Sequence, residues 1–187
     1  MAYVALAAFK PWVSIPDSTT DAETQMALDA ASAAIDVVTN IYPGGYAPAA
    51  SDTTRIYTAD TSSKVFIGAV SSITSVSSAG VAIASGDYKA RPSNAAADGK
   101  PYTWLTSEGL FSTDEENISV VGRHGWPTIP YQVSQFTTIL ASKLLKRTRE
   151  APWGVVSGGL DGIAIRLART DPDLQLLLGG LNHPVIG

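Results

Sequence analysis

Few side chains in this sequence stand at spacings that support chemistry. There are only two histidines, His124 and His183, and no cysteine. Neither histidine falls in an H-E-x-x-H or C-x-x-C setting, so no specific metal-ligand set is present. His124, within Arg123-His124-Gly125-Trp126, reads as a turn or strand-edge residue. Ser157 lies between Gly154-Val155-Val156 and Gly158-Gly159. Its first glycine is one position too distant for a G-x-S-x-G nucleophile elbow, and a flexible link explains the run better. Two close carboxylate pairs, Glu115-Glu116 and Asp171/Asp173, have the composition for acid–base work. Loop solvation and helix capping account for them more simply. No G-x-G-x-x-G follows a strand and no P-loop occurs, which leaves nucleotide binding unsupported. Asn117-Ile118-Ser119 matches a glycosylation sequon, a pattern that carries no weight where no signal peptide is expected. These residues predict no catalytic site, no metal and no cofactor.

A second possible chemistry is ionic. Lys143, Lys146, Arg147 and Arg149 crowd the end of one helical pattern, and Arg166 and Arg169 follow. Such a cluster is a candidate basic contact surface, able to meet phosphates through counterion release. The plainer reading is a helix end whose cations complement the dipole and touch a partner or another subunit. Residues 1–122 carry 6 basic and 13 acidic side chains, whereas residues 123–170 carry 7 basic and 2 acidic. That asymmetry points to two different partner surfaces, or simply to an acidic fold with one basic helix. The net charge of −4 argues against a dedicated DNA binder.

The elements that position these residues follow from hydrophobic periodicity. Leu6, Phe9 and Val13 share a face in a short helix over residues 3–13, which Pro11 kinks or shortens. A second helix is predicted over about residues 21–41, with Leu28, Ala31, Ile35 and Val38 at helical intervals. Thr20 and Glu23 have the spacing of a capping box, and Pro43-Gly44-Gly45 ends the run. From about residue 52 to 122 the texture turns to short β-rich segments: 64–70, 72–76, 80–83, 87–91, 102–105 and 117–122. Residues 93–100 read as an exposed loop. The clearest helix follows at about 131–149, with Val133, Phe136, Ile139, Leu140 and Leu144 as its apolar stripe. A Gly-rich link leads to alternating Ile163, Ile165 and Leu167, which read as extended. Asp171-Pro172-Asp173 starts a last short helix with the stripe Leu174, Leu177, Leu178 and Leu181. The predicted class is α+β: a helical core with a β-rich insertion near 52–122, and a C-terminal arm over 154–187.

The chain of 187 residues suits one domain, and 45% hydrophobic residues give it material for a core. Only 16% of residues are charged, against a typical quarter. Much of the surface is therefore Ala, Ser, Thr and Gly, or else is covered by partners. The opening MAYVALAAFKPW lacks a basic region and a cleavage site, so no signal peptide is expected. No stretch approaches the roughly 20 apolar residues that span a bilayer. The expectation is a soluble protein, with no membrane partner, that begins its life inside a cell.

The opening YVALAAFKPWVSIPD and the Ala-rich helix ending AAIDVVTNIY resemble the start of phage head–tail connector (adaptor) proteins. The likeness continues in Asp87-Tyr88 within the β-rich part, and in Gly122-Arg123-His124-Gly125-Trp126-Pro127-Thr128-Ile129-Pro130 before the long helix. It closes with Arg169-Thr170-Asp171-Pro172-Asp173-Leu174, followed by Leu177 and Leu178. The similarity covers nearly the whole chain and implies a structural virion protein of a tailed bacteriophage, located in the head–tail neck. It implies host cytoplasm as the place of assembly, and a ring, typically twelve-fold, bound under the portal. Partners on this view are further copies of the chain, the portal protein and a head-closure or tail protein. Double-stranded DNA passes through the channel without sequence reading, and acidic charge over residues 1–122 would keep the lumen from gripping it.

A closed ring needs a heterologous interface, and a surface poor in charge suits one. The C-terminal arm, with Ile163, Ile165, Leu167, Leu174, Leu177, Leu178 and Leu181, supplies candidate portal or subunit contacts. Alternatives are a head-closure, tail-terminator or capsid decoration protein, or an accessory DNA-binding protein or enzyme.

Overall fold

The computed structural model of the chain describes residues 2–15, 18–150, 159–179 and 181. Among them the fold is mixed α+β, with five helices and a six-stranded antiparallel sheet. The chain divides into two compact units. Residues 1–44 and 129–187 form one, and residues 45–128 form the other.

The first unit holds the helices: α1 (Leu6–Trp12), α2 (Asp21–Val38), α3 (Tyr131–Glu150), α4 (Gly159–Thr170) and α5 (Pro172–Leu178). Pro11 lies one residue before the end of α1, and the chain turns at once through Ser14 at φ 55°. Helix α2 begins at Asp21, but the Thr20 side chain makes no capping bond. Thr20 has φ −111° and ψ 16° rather than the extended backbone a capping hydroxyl needs, so the expected capping box does not form. Its carbonyl instead accepts from the Thr24 N–H and hydroxyl, at 2.9 and 2.7 Å. At the other end Asn40 takes the left-handed conformation at φ 54°. The Ile41 N–H then donates back to the Asp36 carbonyl at 3.0 Å. This Schellman-like closure ends α2 before the expected residue 41.

A polar anchor ties the N-terminal segment to α2. The Tyr3 N–H donates to Ser32 Oγ at 3.0 Å, and the Tyr3 hydroxyl donates to Asp36 Oδ1. Asp36 Oδ2 accepts from the Gly44 N–H at 2.9 Å. Burial raises the Asp36 pKa above its ordinary 3.8, against the pull of the Tyr3 and Gly44 hydrogen bonds. Helix α2 packs on α3 and α4, and α3 also meets α5. Leu28 and Ile35 of α2 and Phe136, Leu140 and Leu144 of α3 are fully buried. Each such side chain contributes about 1.5–3 kcal/mol through burial.

The largest departure from expectation is α4. Ile163, Ile165 and Leu167, expected to be extended, are helical, and the described part of the 154–187 arm holds two helices. Ala164 and Ala168, four apart, are fully buried, with Ile163 and Leu167 half-buried beside them. The alternation that looks like period two is the wide face of a helix centred on alanines, which allow close approach to a neighbour.

The second unit is the sheet: β1 (Thr53–Tyr57), β2 (Lys64–Ser78), β3 (Val81–Ile83), β4 (Tyr88–Arg91), β5 (Tyr102–Ser107) and β6 (Ile118–His124). Its order is β1-β6-β2-β5-β4, with β3 added to β2. The segments expected at 64–70 and 72–76 are one 15-residue strand. Its first half pairs with β5 and its second half with β6, across register shifts near Gly68, Ser71 and Thr74. Gly68, at φ 71°, supplies the left-handed residue for the first irregularity. Val65, Ile67, Val70, Val76, Leu105, Phe111, Ile118 and Val120 form the core of this unit.

Candidate functional site

The end of β6 and the residues just after it are fixed by backbone packing. A side chain at Gly122 would bring Cβ to 2.1 Å from the Ser72 carbonyl oxygen. Gly125 has φ 135°, and a Cβ there would lie 2.3 Å from the Ala47 carbonyl oxygen. The Gly125 N–H donates to Ala69 O at 2.8 Å, and the Trp126 N–H donates to Gly45 O at 3.1 Å. Trp126 lies against the buried Tyr46, with ring centroids 5.9 Å apart. Within the helical unit the Pro130 carbonyl receives the Val133 and Ser134 N–H groups at the start of α3.

His124 is 5% exposed at the end of β6, and its Nδ1 lies 3.2 Å from the Tyr57 hydroxyl oxygen. Burial, with the nearby Arg55 charge, lowers its pKa below the ordinary 6.5. His124 Nε2 and Trp126 Nε1 are buried without a hydrogen-bond partner among the described residues. Arg123, by contrast, is exposed and forms a 3.6 Å ion pair with Asp52.

The C-terminal residues divide sharply. Asp171 caps α5, accepting from the Asp173 N–H at 3.1 Å and the Leu174 N–H at 3.4 Å. It also pairs with Lys143, whose hydrogen bond holds the Asp171 carboxyl below its ordinary pKa. Leu174, Leu178 and Leu181 are buried in the chain's own fold, at 0%, 5% and 6% exposure. Leu177, Ile163, Ile165 and Leu167 are half-buried. As contacts for a partner, Leu174, Leu178 and Leu181 are therefore unsuitable. The exposed apolar residue of α5 is Leu176, at 85%.

The basic residues are also dispersed in role. Lys143 is committed to Asp171, and Arg149 donates to Thr20 Oγ1 at 3.4 Å. Lys146, Arg147, Arg166 and Arg169 are exposed. Glu115 and Glu116 lie exposed before β6. Ser157 and His183 lie outside the described residues. Among the described residues no three His, Cys, Asp or Glu side chains are grouped as a metal site requires. No described helix is long and apolar enough to cross a membrane.

No protein-family model and no curated protein matches this chain.

One surface that sequence periodicity alone does not isolate is the outer face of α2. Ala22, Met26, Asp29, Ala33 and Val37 recur at intervals of four, three, four and four, and all are exposed. Met26 and Val37 are 59% and 51% exposed. A surface helix ordinarily turns charged and polar residues outward. Here Asp29 alone interrupts an apolar stripe whose alanines permit a second helix to approach closely. The signal available in the sequence is that the apolar residues of α2 exceed what one face can hold.

Proposed function

We propose that this chain is a structural virion protein, a head–tail connector (adaptor) of a tailed bacteriophage. It forms a ring beneath the portal, extends the DNA channel and joins the capsid to the tail. On this reading the helices are the adaptor core: an N-terminal pair, the long α3 and the C-terminal helices. The β-rich unit is an insertion within that core.

The observation that carries the proposal is the apolar outer stripe of α2, the helix whose residues AAIDVV take part in the resemblance. A ring of identical subunits needs a charge-poor patch on each copy that meets a different patch on the next. Two further features support the reading. Gly122 and Gly125 of the resembling segment have no room for a side chain, and Asp171 of the Asp-Pro-Asp motif is a working helix cap. Residues that carry the likeness thus hold definite structural positions.

A second reading, another virion component such as a head-closure, tail-terminator or decoration protein, gains from the sheet. Six strands in a unit of residues 45–128 make the β part a major share of the protein.

The connector reading is tested on the α2 stripe. Met26→Glu with Val37→Glu changes two exposed positions, so the circular-dichroism spectrum and melting temperature should stay near those of the parent. Ring assembly, followed by analytical ultracentrifugation with and without portal, should be lost. Unimpaired rings from this variant would rule out the stripe as the subunit contact.

A further inference from the structure

The strand registers gather six side chains from three neighbouring strands on one face of the sheet. Val65, Ile67 and Leu105 point into the core, so their neighbours in β2 and β5 point to the opposite face. The pairing puts Phe66 beside Trp104 and Trp104 beside Arg91 in one row. Lys64, Thr106 and Lys89 form the next row. The first row presents three flat groups, a phenyl ring, an indole and a guanidinium, about 5 Å apart. The second carries two lysines with a threonine between them, its backbone positions about 7 Å further along the strands.

This face is available and chemically distinct. Lys64 and Lys89 are exposed, and Phe66, Trp104 and Arg91 are half-buried. Lys64 Nζ lies 5.2 Å from the centre of the Trp104 ring, and the Arg91 guanidinium is steadied by the Ser93 hydroxyl. Lys64, Lys89 and Arg91 form no ion pair among the described residues. Residues 45–128 hold six basic side chains, Arg55, Lys64, Lys89, Arg91, Lys100 and Arg123, and half of them collect on these two rows. A cleft of about 610 Å³ opens beside them, lined by Lys89, Arg91 and Thr106 together with Asp87 and Glu108.

We propose that this face binds single-stranded nucleic acid. Unpaired bases expose their flat faces and stack on aromatic rings and guanidinium planes whatever their sequence. The Phe66–Trp104–Arg91 row offers three such surfaces side by side. Phosphates of the same strand meet Lys64 and Lys89, the exposed cations that flank the stacking row. A duplex hides its base faces and can use only the lysines. Asp87 and Glu108 repel phosphate at the cleft, which confines the backbone to the lysine row and keeps binding weak and salt-sensitive. The site belongs to the sheet unit, whereas the α2 stripe and the basic residues of α3 and α4 belong to the helical unit.

The test is fluorescence anisotropy of the full chain with labelled dT12, rU12 and a 12-base-pair duplex, between 50 and 200 mM salt. At least one single strand should bind, more tightly than the duplex, with a log–log salt slope of about −1.4 for two phosphate contacts. The dT12 and rU12 arms tell DNA from RNA. Trp104→Ala should weaken binding roughly tenfold or more. Lys64→Glu with Lys89→Glu, both exposed, should abolish it while leaving the circular-dichroism spectrum unchanged. Arg147→Glu with Arg166→Glu, both in the helical unit, should leave it within about twofold. The proposal is overturned if neither single strand binds at 50 mM salt, or if the duplex binds as tightly as they do. It is equally overturned if the lysine pair is dispensable, or if the Arg147 and Arg166 changes remove binding.

Discussion

Gly122 and Gly125 show how single atoms fix the backbone at the end of β6. At Gly122 a methyl group would collide with the Ser72 carbonyl across the β2–β6 ladder. Gly122→Ala should therefore cost about 1–3 kcal/mol, the range for forcing extra volume into a packed site. A urea titration of the two proteins measures it, and equal midpoints would show that the ladder yields without cost. His124 makes a prediction about pH. Its folded pKa is depressed by burial, so between that value and the unfolded 6.5 the unfolded chain holds more protons. Stability is then full above about pH 6.5 and declines as pH falls towards the depressed pKa. The wild type should lose more melting temperature than His124→Gln between pH 7.5 and 5.5. Parallel losses would mean that the imidazole titrates normally. Asp36 works in the opposite sense: its raised pKa lets the neutral carboxyl favour the fold at acid pH, and that contribution is lost as pH rises through the raised value. Comparison with the His124 variant cancels it.

Whole elements are legible in the sequence where local chemistry fixes them and obscure where tertiary packing does. The start of α5 is readable because an Asp cap, a proline at the first helical position and an acid in the first turn are all local signals. Asp171→Ala should cost about 1 kcal/mol as a lost cap. Asp171→Asn, which keeps the acceptor, should recover most of it, and chemical denaturation distinguishes the two. The α3 stripe is equally plain, since Val133, Phe136, Leu140 and Leu144 keep helical spacing and all are buried. Helix α4 is not readable, because its burial depends on two alanines that only a neighbouring helix makes important. The continuity of β2 is hidden by Gly68 and Ser71-Ser72, which look like turn residues but are irregularities inside one strand. Strand β1 escapes notice because its residue types do not follow its burial: Arg55 is half-buried while Ile56 is exposed, so the sequence lacks the polar–apolar alternation that marks a half-buried strand. The candidate contacts follow the same rule. The stripe Leu174, Leu178 and Leu181 is a real apolar face, but the chain buries it itself. Sequence shows which residues are apolar, and only the fold shows which of them remain outside.

For the whole molecule, the proposed connector reading assigns the exposed apolar α2 stripe to contacts with further copies of the same chain. A charged fraction of 16% leaves a weakly charged surface, which suits large interfaces more than an isolated life in solution. The two ends of the chain build the helical unit and its middle builds the sheet. The most direct measurement is cryo-electron microscopy of the purified protein, alone and mixed with its cognate portal. The connector account predicts closed rings, or an added ring layer beneath the portal, with the α2 stripe inside the subunit contacts. Monomers that never associate and never decorate the portal would contradict it.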